Sequence, residues 1–144
     1  MVLLVSGIVA AFAVPIIGEE LNMYRLRSAV ASATWAIQST RFQALMEGYP
    51  FQVTFQGDSN GNSPTYQIAS KTVGAASYTN VGSSVPLSGS AVNLTAATVV
   101  QFQPNGTVTV TQGGGAATTM QISYGGKSNT ITVSNYGNVS VTSP

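Results

Sequence analysis

The sequence predicts an α+β protein, with a long kinked N-terminal α-helix packed on an antiparallel β-sheet domain. Residues 1–17 read MVLLVSGIVAAFAVPII, without charge and with Ser6 as the one polar side chain. Apolar residues then recur at steps of three and four as far as Gly48, the spacing of a helix face. From Tyr49 on the period is two, and β-branched residues alternate with turns rich in Gly, Asn and Pro. The expected division is residues 1–48 as helix and 49–144 as β domain. Within the helix, 1–22 form the hydrophobic part and 23–48 the part that packs on the sheet.

As a helix, the first 17 residues rise about 26 Å, slightly short of a hydrocarbon core of about 30 Å. The segment is a borderline membrane span. No basic residue precedes it, and it runs through IIGEELNMYRLRSAV without a small-residue cleavage site and loop, which argues against a signal peptide. Met23, Leu26, Val30, Ala33, Ile37, Thr40 and Ala44 then form one seam. Tyr24, Ala31, Trp35, Phe42 and Leu45 form a second. Together they predict one wide stripe, with Leu26, Val30, Trp35, Ile37 and Phe42 packed against the sheet. Gly48, with Pro50 just beyond, is a helix stop. A helix of about 45 residues is about 68 Å long, so its N-terminal half must project into a membrane or among copies of itself. Pro15 lacks an N–H and crowds the preceding turn, so a kink or local unwinding is expected there.

In the β part, Phe51, Val53 and Phe55 alternate with Gln52, Thr54 and Gln56. Residues 57–64, GDSNGNSP, read as a turn and 65–70 as a second strand. Residues 71–96 read as loops with one or two short strands. Two hairpins follow. One joins 99–103 to 107–112 through Pro104-Asn105-Gly106, and the other joins 118–124 to 128–134 through Gly125-Gly126. GGGAA at 113–117 reads as a flexible turn, and 138–142 as the last strand.

Composition removes whole classes of function. Charged residues are 6% of the chain, with five Lys/Arg, four Asp/Glu, no His and no Cys. Disulfides, thiol chemistry, zinc fingers and His-based catalytic triads cannot form. Only Lys71 and Lys127 lie beyond residue 50 among the cations, too few for a phosphate track, which argues against a nucleic-acid partner. No enzyme, cofactor or metal is expected. Asp58, Asn60 and Asn62 faintly resemble the start of a calcium loop, but its closing position holds Ala69. Asn93, Asn105 and Asn138 stand in N-x-S/T sequons and are candidate glycosylation sites.

The run Gly7-Ile8-Val9-Ala10-Ala11-Phe12-Ala13-Val14-Pro15 resembles the N-termini of type IV pilins and pseudopilins. The stretches 39–45 and 48–53, Phe102-Gln103-Pro104-Asn105-Gly106 and 131–139 resemble elements of the GspH/FimT pseudopilin group within that superfamily. Aligned on these motifs, the sequence is expected to begin several residues inside the mature helix. The family's basic leader and buried glutamate do not stand in this sequence, so either the start of the helix is trimmed or misassigned or the N-terminus is unusual, and Glu19 and Glu20, beyond the proline, do not replace that glutamate.

The resemblance implies a pilin-like fold and a structural subunit of a type IV pilus-like or pseudopilus filament. Its implied partners are copies of itself, the inner membrane before assembly, and the pilus or secretion assembly machinery. Its implied place is the bacterial cell surface, as an extracellular filament anchored in the inner membrane before assembly. Gly7, Ala10, Ala11, Ala13 and Val14 would pack in the filament core. Glu19, Glu20, Arg25 and Arg27 are candidates for charge contacts between subunits. One alternative is a low-copy minor pseudopilin at the tip of a type II secretion or pilus machine, with a role in DNA uptake among its options. Another is a monomeric, membrane-anchored extracellular binding domain.

Overall fold

The computed structural model describes residues 2–57, 63–87 and 92–143, with side chains from Gly18 onward. The architecture is α+β. Among the described residues, one helix, α1 (Val2–Glu47), precedes eleven strands. The helical backbone continues through Pro15, so the chain does not unwind there. The side chains of Gly7, Ala10, Ala11, Ala13, Val14 and Pro15 lie outside the described residues, as does the Asp58–Asn62 turn. From Gly18 on, no helical stretch is long and apolar enough to cross a membrane.

The end of α1 follows from local chemistry. Gly48 adopts φ +74°, the left-handed conformation that costs other residues, and its N–H donates to the Ala44 carbonyl. The Tyr49 hydroxyl donates to the Glu47 carboxylate across this turn. That bond first, then desolvation and the carboxylate charge, pushes the Tyr49 pKa above the usual phenol value. The Tyr49 ring stacks on Phe51 at 5.2 Å and leads the chain into the first strand.

The strands form two antiparallel sheets. The larger contains β1 (Phe51–Gln56), β2 (Thr65–Ser70), β3 (Thr79–Asn80), β4 (Val85–Pro86), β6 (Thr98–Phe102), β7 (Val108–Gln112) and β8 (Gly115–Ala117). Its order is β3-β2-β1-β6-β7-β8, with β4 also on β2. The smaller contains β5 (Asn93–Leu94), β9 (Thr119–Tyr124), β10 (Lys127–Val133) and β11 (Val139–Thr142), in the order β11-β10-β9-β5. Register keeps one apolar face: Val53 lies opposite Val100, and Val100 opposite Val110. Phe55, Phe102, Met120, Ile122 and Ile131 are buried in the common core. The helix packs on strands of both sheets, against β1, β2 and β6 of one and β9 and β10 of the other.

Two expectations are corrected. GGGAA is not wholly a turn: Gly113 and Gly114 turn with positive φ, and Gly115–Ala117 pairs with β7 as an edge strand. A strand pairs through its backbone N–H and C=O groups, so Gly and Ala suffice here. The described residues of 71–96 hold three two-residue strands, β3, β4 and β5, rather than one or two. Each is long enough to extend a sheet locally, though too short to show a period.

Candidate assembly surface

An α-helix turns by about 100° per residue, so positions two apart face nearly opposite ways. In α1 the face toward the sheets is built from small residues. Ala29, Ala33, Ala36 and Ala44 are wholly buried, with Leu26, Val30, Ile37 and Thr40 between them. Small side chains let the helix axis come close to both sheets. The buried Thr40 hydroxyl on this face is satisfied, because its Oγ1 donates to the Ala36 carbonyl at 2.7 Å.

The opposite face is apolar as well. Tyr24 is 71% exposed, Trp35 61%, Phe42 63% and Leu45 48%; Leu21 and Ala31 are also exposed. This corrects the expected placement of Trp35 and Phe42 against the sheet. Each stands two positions from a buried residue, Trp35 from Ala33 and Phe42 from Thr40, so each points away from the sheets. The two seams are therefore two faces. A run of alanines at helical spacing is the signal for the buried one.

The exposed seam is bordered by grooves against β11, the edge strand of the smaller sheet. Ala31, Trp35 and Gln38 face Val141 and Ser143 in one; Phe42 and Leu45 face Asn138 and Val139 in the other. In sequence the seam's three-and-four spacing runs back through Leu21, Ile17, Val14, Ala10, Gly7 and Leu3. The outward face of the packed half and the apolar half of α1 thus share one pattern. Exposed apolar side chains grouped on one face, as Tyr24, Trp35, Phe42 and Leu45 are, make that face a candidate interaction surface.

Two arginines bond inside the chain: Arg25, a candidate for contacts between subunits, and Arg41. Arg25 Nη1 donates to the Tyr124 hydroxyl at 2.7 Å, and its guanidinium lies 5.8 Å from that ring. This holds the β9–β10 hairpin tip on α1. Gly125 completes the fit: a Cβ there would lie 3.0 Å from the Asn22 amide nitrogen. Arg41 Nη1 donates to the Gly137 carbonyl at 3.3 Å, tying the turn before β11 to the helix. Gly137 has φ +78°, and a Cβ there would meet Arg41 at 2.9 Å. Gly137→Ala is expected to cost about 1–2 kcal/mol for the backbone alone, before Arg41 shifts. Denaturant unfolding of the variant and parent checks this; superimposed curves would contradict the fit.

Glu19 and Glu20 are exposed on the first turn of α1 whose side chains are described, and Arg27 is exposed beside the seam. Asn93 and Asn138 are exposed, while Asn105 Oδ1 accepts from the Thr107 N–H and hydroxyl within its turn. Among the described residues, no three His, Cys, Asp or Glu side chains converge as metal ligands would.

The arrangement is a rod with an outward apolar seam, carrying a β domain on its other face. Residues 29–137 match the family of the type II transport protein GspH. The chain belongs to the GspH family. It thereby falls within the pilin and pseudopilin superfamily, whose GspH-like members are structural pseudopilins. This GspH-family chain also has a fold similar to the minor pseudopilin EpsH from the Type 2 Secretion System of Vibrio cholerae. The two superpose with a TM-score of 0.58 at 12% identity, over 83% of this chain and 98% of the other. At that identity the likeness speaks for the fold. No curated protein matches the sequence.

Proposed function

We propose that this chain is a structural subunit of a type II secretion pseudopilus or a related pilus-like filament. It would be held in the inner membrane by the start of α1 before assembly and among neighbouring helices afterwards. The observation that carries this reading is the outward seam Tyr24–Trp35–Phe42–Leu45, large, apolar and unused by the chain's own fold. A helix so exposed on a soluble monomer would favour aggregation, whereas a filament covers it. Moving the apolar half from lipid into a bundle of helices exchanges one apolar surrounding for another. Close packing of Gly7, Ala10, Ala11, Ala13 and Val14, rather than escape from water, would then drive that step. Contacts of this kind are head-to-tail and do not close, so they build a helical polymer in the cell envelope.

Ala10→Arg is expected to abolish assembly, because a guanidinium would be placed in a dry helix bundle. Fractionation of sheared cells checks this, with the parent chain recovered in the filament fraction and the variant left in membranes. Parent chain found only in membranes, as a monomer, would support an anchored binding domain instead. A second reading is supported by the fold shared with a minor pseudopilin: a low-copy subunit near the filament tip. Its signature is a small, fixed number of copies per filament.

A further inference from the structure

The four described cations near α1 divide into two pairs. Arg25 and Arg41 bond within the chain, to Tyr124 and Gly137. Arg27 and Lys127 instead both line a cavity of about 290 Å³, between the Met23–Arg27 turn of α1 and the start of β10. Met23 and Leu26 line its apolar side, with Asn129 and Ser143 opposite. Among the described residues, neither cation forms an ion pair within the chain. The acids divide likewise. Glu47 accepts from Tyr49, while Glu19 and Glu20 are exposed and have no ion pair among the described residues. The chain therefore presents an acidic pair and a basic pair at different heights along one rod.

We infer that Glu19 and Glu20 of one copy dock on the Arg27–Lys127 pocket of a second copy. The proposal rests on the filament reading in its many-copy form and names the contact that sets the axial step. Glu20 and Glu19 lie seven and eight residues before Arg27, about 10–12 Å along a helix. Glu20 and Arg27 lie on the same side of α1, so a parallel neighbour displaced by that amount, and turned about the filament axis as a helical polymer requires, brings its acids level with the basic pocket. The same displacement repeats at every subunit, so the contact propagates without closing. An exposed pair is weak singly, worth about a two- to five-fold change in an equilibrium. Repeated along a polymer, it fixes register more than strength.

The native chain has no cysteine, so engineered thiols report one contact. In the full chain carrying Glu20→Cys and Arg27→Cys, the two sites on one helix are too far apart to bridge internally, since a disulfide needs Cα atoms within about 7 Å. The expected result after mild oxidation is a ladder of dimers, trimers and higher species in the filament fraction. Glu20→Cys alone should give no ladder. The charge exchange tests the same contact without thiols. Glu19→Arg with Glu20→Arg should lower incorporation about two- to five-fold per contact, and adding Arg27→Glu with Lys127→Glu should restore it. Filaments that form normally without a ladder or rescue would overturn the charge contact alone. A double-cysteine chain cross-linked only to a different protein would overturn the second copy as occupant. A parent chain absent from the filament fraction would overturn both readings.

Discussion

Trp35→Glu combined with Phe42→Glu is expected to leave the chain folded and to remove it from filaments. The two rings are 61% and 63% exposed and make no part of the buried core. Their replacement should therefore shift the thermal midpoint by only a few degrees, the size of a surface substitution. In an assembly the effect is different. An aromatic side chain can bury 150–250 Å², so covering the exposed part of each ring removes roughly 100 Å² from water. At about 25 cal/mol per Å² that is about 2–3 kcal/mol per ring. Glutamate forfeits this and adds an unpartnered charge to an apolar interface, which costs further. Failure to bury even one of the rings corresponds to more than a ten-fold change in association. Sheared fractions and thermal melts of the detergent-solubilised chain measure the two sides. Normal filaments from the double variant would show that the seam is not an assembly surface.

The parts of the fold that can be read from sequence are those with a strong local period. The apolar helix, its stop at Gly48 and the hairpins at Pro104–Gly106 and Gly125-Gly126 carry their own signals and appear where those signals place them. The edge strand at Gly115–Ala117 has no such signal, because its pairing is made by backbone alone. The face of α1 is the informative error. Side-chain size suggests that Trp35 and Phe42 belong inside, but the space between helix and sheets is set by alanines. A second apolar seam on the far side of such a helix is surplus to the fold, and surplus apolar surface is what an assembling chain needs. The roles of Arg25 and Arg41 are hidden for a related reason. Their partners, the Tyr124 hydroxyl and the Gly137 carbonyl, are 99 and 96 positions away in sequence.

Ala33→Leu is expected to do the reverse of the aromatic double variant, although position 33 stands only two residues from Trp35. Ala33 is completely buried between α1 and the sheets, flanked by Ala29 and Ala36, also completely buried. Leucine adds three carbons at a position with no exposed surface. The core cannot expand locally, because native interiors are already close-packed. Either the leucine takes a strained rotamer or the helix lifts away, and such overpacking costs about 1–3 kcal/mol. Lifting the helix would also lengthen the Arg25–Tyr124 and Arg41–Gly137 bonds, which span the same gap. The cost should therefore sit at the upper end, a fall in thermal midpoint on the order of 10 °C. The outward seam is chemically unchanged, so whatever chain remains folded should still enter filaments. Thermal melts paired with fractionation separate the two faces of one helix: loss of stability from position 33, and loss of assembly from positions 35 and 42. If Ala33→Leu melted like the parent, the close approach of α1 to the sheets would be wrong, and with it the outward placement of Trp35 and Phe42.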